Sequence, residues 1–241
     1  MNAKITLNYS PNFSSIRRIK KNIKFLIFHY TGMKSESKAI NRLIDVRSKV
    51  SSHYFIRKNG KIISMVPERY VAWHAGESYW EKYKSLNDYS IGIEIQNKGH
   101  RHGYENFNKK QIYSLSKISK FLIKKYGIKK KNILGHSDIA YWRKTDPGEK
   151  FPWKKMAKLN VGLWHNINRN LLIKNRKIKI LNQEKLIFFK YLKKIGYYPK
   201  INKLNQKTLM TKAFQRRFRP ELINGKVDKE CLKIAKKLSK I

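Results

Sequence analysis

Residues 23–28 read IKFLIF and residues 90–96 read SIGIEIQ. The first is a short, nearly continuous apolar run of strand length. The second alternates, with Ile91, Ile93 and Ile95 on one face and Ser90, Glu94 and Gln96 on the other. His29 stands at the C-terminal end of the first run, just before the break Thr31-Gly32. Sites in α/β proteins are built at such strand ends. Between the two runs, Ala39, Ile40, Leu43, Ile44 and Val46 recur at helical spacing within residues 35–50, which predicts a helix. Residues 53–57 and 62–66 are strand-like, and the Asn59-Gly60 pair between them predicts a hairpin whose two central positions tolerate positive φ. Residues 68–87, rich in Trp, Tyr and His, predict a long surface loop that carries function.

Downstream, Asn108 with Gln111 makes a capping-box start for a helix whose apolar positions run from Ile112 to Tyr126, with Gly127 as its C-cap. A last short strand over residues 132–134 leads into Gly135-His136-Ser137-Asp138 and then an irregular stretch ending Asp146-Pro147-Gly148. Strands alternating with helices and a hairpin predict an α/β fold with a mixed central sheet flanked by helices. From residue 182 the pattern changes to three short amphipathic helices: 183–195 ending at Gly196, 206–218 stopping before Pro220, and one capped by Asp228 that runs through Leu238. The predicted organisation is a catalytic domain over residues 1–162, a basic and less periodic linker over 163–181, and a small three-helix domain over 182–241.

The chain has 241 residues with 56 Lys+Arg against 15 Asp+Glu, a formal net charge of +41. With 41% hydrophobic and 12% aromatic residues it has enough apolar surface for a core, so a wholly disordered basic chain is excluded. The charge is spread, +23 in residues 1–160 and +18 in 161–241. Two origins remain open: compositional bias that loads Lys onto solvated faces, or affinity for an anionic partner. No helix-turn-helix, zinc-finger spacing or aromatic RNA-binding signature accompanies it, so no specific nucleic acid is expected. The single cysteine, Cys231, excludes an intramolecular disulfide and any multi-cysteine metal site. The N-terminal stretch shows neither a secretory signal nor a lipidation cysteine, and no segment reaches the roughly 18–20 uninterrupted apolar residues of a membrane span. A monomer is the default expectation.

Three side chains can converge at one rim of such a sheet. His29 and His136 each end a predicted strand, and Asp146 follows His136 by ten residues in a loop held by Pro147 and Gly148. Two imidazoles and a carboxylate leave one tetrahedral position open, the form of a catalytic zinc site. The alternative is a set of hydrogen-bonded loop histidines. Glu94 interrupts an apolar strand, where a carboxylate facing the core is costly unless it is paired or functional. It is either a general base beside that rim or a Glu on the solvated face of an edge strand. Lys144, one of 43 lysines, carries no signal by itself.

Taken in order, five stretches resemble the type 2 N-acetylmuramoyl-L-alanine amidases, zinc hydrolases related to phage T7 lysozyme and the peptidoglycan recognition proteins. They are FLIFHYTG around His29, VSSHYFI around His53, MVPERYVAWHAGESYW around Trp73 and His74, LNDYSIGIEIQNKG around Glu94, and LGHSDIAYWRKTDPGEKFPW from His136 to Trp153. IGYYP and AFQRRFRPELINGKVD are similar to the C-terminal peptidoglycan-binding-like domain of the branch whose enterobacterial member is an outer-membrane lipoprotein. The resemblance implies one zinc ion on His29, His136 and Asp146, Glu94 as acid and base, and Lys144 as transition-state stabiliser. It implies hydrolysis of the amide between N-acetylmuramic acid, or its 1,6-anhydro form, and L-alanine of the stem peptide in peptidoglycan or muropeptides. Trp73, His74 and Arg143 are then candidates for substrate contact, and His53 for a structural histidine. A non-catalytic peptidoglycan-recognition module is the alternative, though a pure binder needs no such set of five. Location stays open between the cell envelope that the relatives imply and the cytoplasm. The helical domain is either a glycan binder or a pack that steadies the catalytic domain.

Overall fold

A computed structural model describes residues 5–199 and 205–241; residues 1–4 of the predicted catalytic domain and 200–204 of the predicted helical domain lie outside the described residues. The N-terminal part runs through β1 (Ile5–Leu7), β2 (Phe13–Ser14), β3 (Phe25–Tyr30), α1 (Glu36–Ile44), β4 (Tyr54–Ile56) and β5 (Ile62–Ser64). Then come β6 (Val71–Ala72), β7 (Tyr79–Trp80), β8 (Tyr83–Lys84), β9 (Ser90–Ile95), α2 (Lys109–Tyr126) and β10 (Ile133–Gly135). Helices finish the chain: α3 (His136–Ile139), α4 (Trp153–Lys158), α5 (Arg169–Asn175), α6 (Asn182–Ile195), α7 (Gln206–Phe218) and α8 (Lys229–Leu238).

Six strands form the main sheet in the order β1-β5-β4-β9-β3-β10. Only β4 and β5 pair antiparallel; the rest are parallel, so the sheet is mixed as predicted. IKFLIF and SIGIEIQ become the neighbouring strands β3 and β9, with Phe25 opposite Ser90 and His29 opposite Glu94. β9 lies inside the sheet between β4 and β3, which excludes the edge-strand alternative for Glu94.

The alternation of β9 now has a cause. On one sheet face Leu26, Phe28, Ile91, Ile93 and Ile95 pack under Ile112, Leu115, Ile118 and Leu122 of α2 and under Trp153 and Met156 of α4. Burying each large side chain of this kind contributes about 1.5–3 kcal/mol. α2 is held at its predicted ends, by the Asn108–Gln111 capping box and by Gly127 at φ 66°. The other face is covered in two places. Phe25, Ile27 and Leu134 meet Phe188, Phe214, Ile234 and Ala235 of the C-terminal helices, while Phe55, Ile63 and Met65 meet Ala39 and Leu43 of α1. Between these patches β3 and β9 carry His29, Ser90, Gly92 and Glu94, a polar interval on an otherwise apolar face.

Several details differ from the sequence expectation. The hairpin turn is closed by Gly60 N–H to the Arg57 carbonyl at 2.9 Å, and of the Asn-Gly pair only Gly60 takes a positive φ, 84°. The predicted surface loop 68–87 contains β6, the β7–β8 hairpin and a 3-10 turn at Leu86–Tyr89. The stretch expected as a linker, 163–181, contains α5, whose Leu172 is buried in the same cluster as Phe25 and Phe188. Arg176 beyond α5 donates to Glu230 of α8 at 2.7 and 2.9 Å, fixing this connection to the helices that follow. Cys231 is buried in that cluster, and Asp228 caps α8 by accepting Cys231 N–H at 3.0 Å. No helix among the described residues is long and apolar enough to cross a membrane.

Candidate active site

β10 runs parallel to β3 with Gly135 opposite Phe28, so the chain leaves β10 beside His29 and places His136 at the first position of α3. The following loop returns Asp146 to the same point, where Ser137 N–H donates to its carbonyl at 2.8 Å. His29 Nδ1 and His136 Nδ1 are 3.0 Å apart, and Asp146 Oδ2 lies 3.1 Å from the first and 3.0 Å from the second. All three residues are buried.

The donor set fits a cation. His136 Nε2 lies 3.1 Å from the Ala75 carbonyl, which can only accept, so Nε2 carries the proton and Nδ1 presents a lone pair. Burial, followed by the nearby His136, lowers the His29 pKa to about 4, so His29 is uncharged at neutral pH. Acceptors in van der Waals contact repel unless a positive charge lies among them. Tetrahedral zinc, with Zn–N of about 2.0–2.1 Å, separates its ligand atoms by about 3.3 Å, close to the triangle observed. Among the described residues this is the one group of His, Cys, Asp and Glu with such geometry.

Beside the triad opens a cavity of about 720 Å³, lined by Glu94 and Lys144 as well as the three donors. Glu94 Oε2 is buried without a hydrogen-bond partner. Burial first, and Asp146 second, raise the Glu94 pKa to about 8, with Lys144 opposing. A carboxyl group so placed can exchange a proton near neutral pH. Lys144 brings a primary ammonium to the same space.

The candidates for substrate contact separate here. Trp73 lines the cavity, while its Nε1–H donates to Ser14 Oγ at 3.1 Å, so the indole both packs the loop and faces the site. His74 is 8% exposed and lies against the triad, its Nδ1 3.0 Å from His29 Nε2. Burial, then His29 and His53, keep His74 well below its ordinary pKa. Arg143 directs its guanidinium to loop carbonyls, donating from Nη2 to Ala75 O at 2.5 Å and to Glu77 O at 2.7 Å. It pins the segment that also orients His136. His53 is fully buried, with Nδ1 accepting Gly92 N–H at 3.0 Å, the structural role predicted for it. Sequence reasoning missed the rim residues Arg42, Arg101 and Tyr30; Tyr30 OH reaches His100 Nδ1 at 2.9 Å and Thr145 Oγ1 at 3.2 Å. Tyr30 lies within the FLIFHYTG stretch but carries no signal of its own, and Arg42 and Arg101 are brought to the cavity only by the fold.

α3 is clasped from the C-terminal side. Asp138, two residues after His136, accepts from Tyr197 OH at 2.7 Å, Arg217 Nη1 at 2.5 Å and Gly135 N–H at 2.8 Å. Arg217 also donates to Ile133 O at 2.8 Å and stacks 4.3 Å over Trp153. The C-terminal helices thus hold the segment that carries a triad residue.

A family model described as N-acetylmuramoyl-L-alanine amidase matches residues 19–149, a span that contains all three donors, Glu94 and Lys144. The chain belongs to the N-acetylmuramoyl-L-alanine amidase family. Amidases of this kind are hydrolases of the amide bond between muramic acid and L-alanine, and that is the activity of this chain. The amidase is 36% identical over 230 residues to N-acetylmuramoyl-L-alanine amidase AmiD of Escherichia coli, an alignment covering 90% of this chain and 82% of AmiD. It is 39% identical over 113 residues to the 1,6-anhydro-N-acetylmuramyl-L-alanine amidase AmpD of the same organism, covering 46% of this chain and 58% of AmpD. The AmiD structure in complex with anhydro-N-acetylmuramic acid-L-Ala-D-γ-Glu-L-Lys is similar throughout, at TM-score 0.80 and 34% identity, covering 93% of this chain and 91% of that one. The amidase fold is also similar to AmpDH3 of Pseudomonas aeruginosa, at TM-score 0.79 and 28% identity over 98% of both chains.

Proposed function

We propose that this amidase works with a single zinc ion on His29, His136 and Asp146, and that Glu94 and Lys144 perform the proton transfer and charge stabilisation. The observation that carries the proposal is the buried triangle of lone pairs opening onto a cavity beside a carboxyl group with an unpartnered oxygen. The chemistry zinc supplies in such a site is Lewis acidity, polarising a carbonyl and lowering the pKa of water. Glu94 accepts the proton of the attacking water at its free Oε2 and passes it to the departing amine of L-alanine. The positive charge at the triad draws the Glu94 pKa down from about 8, towards the ionised form the first transfer needs. The Lys144 ammonium stabilises the charge that develops on the lactyl carbonyl oxygen.

The substrate assigned to the cavity is a muropeptide with N-acetylmuramic acid or its 1,6-anhydro form. Arg42, Arg101 and Lys144 around the opening give it a positive field, which suits the carboxylates of a stem peptide. Two similar structures are complexes with anhydromuramyl peptides, that of AmiD with a tripeptide form and that of AmpDH3 with an anhydromuramic pentapeptide. The test is incubation of zinc-loaded protein with muramyl and anhydromuramyl tripeptides, with separation of sugar and peptide by mass spectrometry. Release of both products by the parent and by neither Glu94→Ala nor Asp146→Ala supports the assignment. Cleavage by Glu94→Ala at the parent rate removes Glu94 from it.

A further inference from the structure

We propose that Ser90 and His74 are positioning residues for the metal centre, forming with the Leu86 carbonyl a directed hydrogen-bond chain that decides which nitrogen of His29 is bare. The proposal rests on the assignment of His29, His136 and Asp146 as metal ligands.

The direction follows from one proton. Ser90 Oγ lies 2.5 Å from the Leu86 carbonyl, and a carbonyl can only accept, so the hydroxyl proton is committed there. Ser90 Oγ is also 3.1 Å from His74 Nε2, and with its proton used it can only accept; Nε2 of His74 is therefore N–H. A neutral His74 then has a bare Nδ1, which lies 3.0 Å from His29 Nε2 and accepts its proton. His29 is left with a lone pair on Nδ1, the atom in the triad. A reversed chain would put the proton of His29 on Nδ1, in the position of the metal, and would give up the short bond from Ser90 Oγ to the Leu86 carbonyl. Metal-bound histidines generally owe their tautomer and orientation to a partner of this kind. His136 has the Ala75 carbonyl in that role; for His29 a carbonyl acts at a distance, through a hydroxyl and a second imidazole.

β9 is shaped for this chain. A Cβ at Gly92 would lie 2.4–2.6 Å from three atoms of the His74 ring, so only glycine lets the imidazole lie against the sheet. Glycine inside a strand is destabilising and marks a close approach. The ring also meets His53, edge-on at 5.6 Å between centroids. Ser90, Gly92 and Glu94 stand at alternate positions on one face. In order they anchor the chain, make room for it, and supply the carboxyl group.

The experiment uses full-length protein, metal-free for the tautomer and titrated with zinc for affinity, so both readouts are independent of catalysis. Long-range 1H–15N spectra of the histidine rings report the tautomer, and competition with a chelator reports zinc affinity. The result expected is a His29 Nε2–H shielded from exchange in the parent, and a zinc affinity lowered about 10–100-fold by Ser90→Ala and by Gly92→Ala. His74→Asn, which keeps an acceptor near the Nδ1 position, retains more affinity than His74→Leu. Ser119→Ala, which removes a buried hydroxyl outside the chain, leaves affinity unchanged. A His29 protonated on Nδ1 in metal-free parent protein overturns the proposal, whether or not the variants fold. So does Ser90→Ala binding zinc within twofold of the parent. A parent that binds zinc with the expected tautomer yet leaves muropeptides intact contradicts the proposed mechanism and leaves the chain of bonds standing.

Discussion

His29 and Glu94 stand directly opposite each other on β3 and β9, paired Cα to Cα in a parallel register. Residues so paired project to the same sheet face. The ligand-type imidazole and the proposed proton carrier are therefore held by two neighbouring interior strands of the sheet, with only Lys144 and Asp146 supplied by a loop. Glu94→Gln keeps shape and burial but cannot carry a proton. Its kcat should fall about a hundred- to ten-thousand-fold, with zinc content, measured by elemental analysis, equal to the parent's.

Lys144 enters the cavity from the loop that ends in Asp146. Lys144→Ala should lower kcat about 10²–10³-fold if the ammonium acts on a developing oxyanion. Steady-state kinetics check this. KM should change little, because the charge it stabilises is absent from the ground state.

Metal-free protein should show a stability maximum near pH 6.5. Glu94 has a folded pKa of about 8, above the ordinary 4.5, so between these values the folded state keeps a proton that the unfolded state releases. Its contribution is complete below about 4.5 and lost by about 8. His29 and His165, lowered from 6.5 to about 4, and His53, lowered to about 3, act in the opposite sense. Burial is the largest cause in each, and each takes up a proton more readily when unfolded, so stability falls as pH drops below 6.5. Urea titrations across pH 4–9 measure both limbs, and Glu94→Gln should abolish the decline above 6.5.

Arg217 and Asp138 join α7 to α3 in a buried pair, 3% and 1% exposed. Removing one partner of such a pair leaves an uncompensated charge and costs about 3–5 kcal/mol. Arg217→Ala should lose that much in urea unfolding, and Arg217→Met with Asp138→Asn should recover a large part. The same comparison asks whether the C-terminal helices steady the site, because zinc affinity should fall with Arg217→Ala and return with the double variant.

Much of this was legible in the sequence for physical reasons. Short apolar runs, a capping box at Asn108 and a glycine at 127 are local signals, and they placed β3, β9 and α2 within a residue or two. That His29, His136 and Asp146 could converge was readable because histidines that end strands meet at one rim, while the choice of a metal site over hydrogen-bonded loop histidines came from the family resemblance. What stayed hidden was pairwise and long-range. SIGIEIQ alternates like a strand with one wet face, yet β9 is interior, since the polar face is filled by His74 and the site itself. Gly92 was the available sign of that close approach. Arg143 and His74 lie in motifs associated with the site, but only coordinates reveal that one holds loop carbonyls and the other holds His29. The basic stretch 163–181 looked like a linker because α5 is short and buries Leu172 and Asn175 alone. Neither the spread nor the amount of the +41 charge was needed to find the site.

The central claim is that the His29–His136–Asp146 triangle, charged with zinc, makes this chain cleave anhydromuramyl peptides through Glu94. The most direct measurement follows anhydro-N-acetylmuramic acid-L-Ala-D-γ-Glu-L-Lys by mass spectrometry with protein stripped by chelator and then reloaded with one zinc ion. The result predicted is no cleavage when stripped, full release of sugar and tripeptide on reloading, and none with reloaded Glu94→Ala. Intact substrate in the presence of reloaded parent protein that holds its zinc would contradict it.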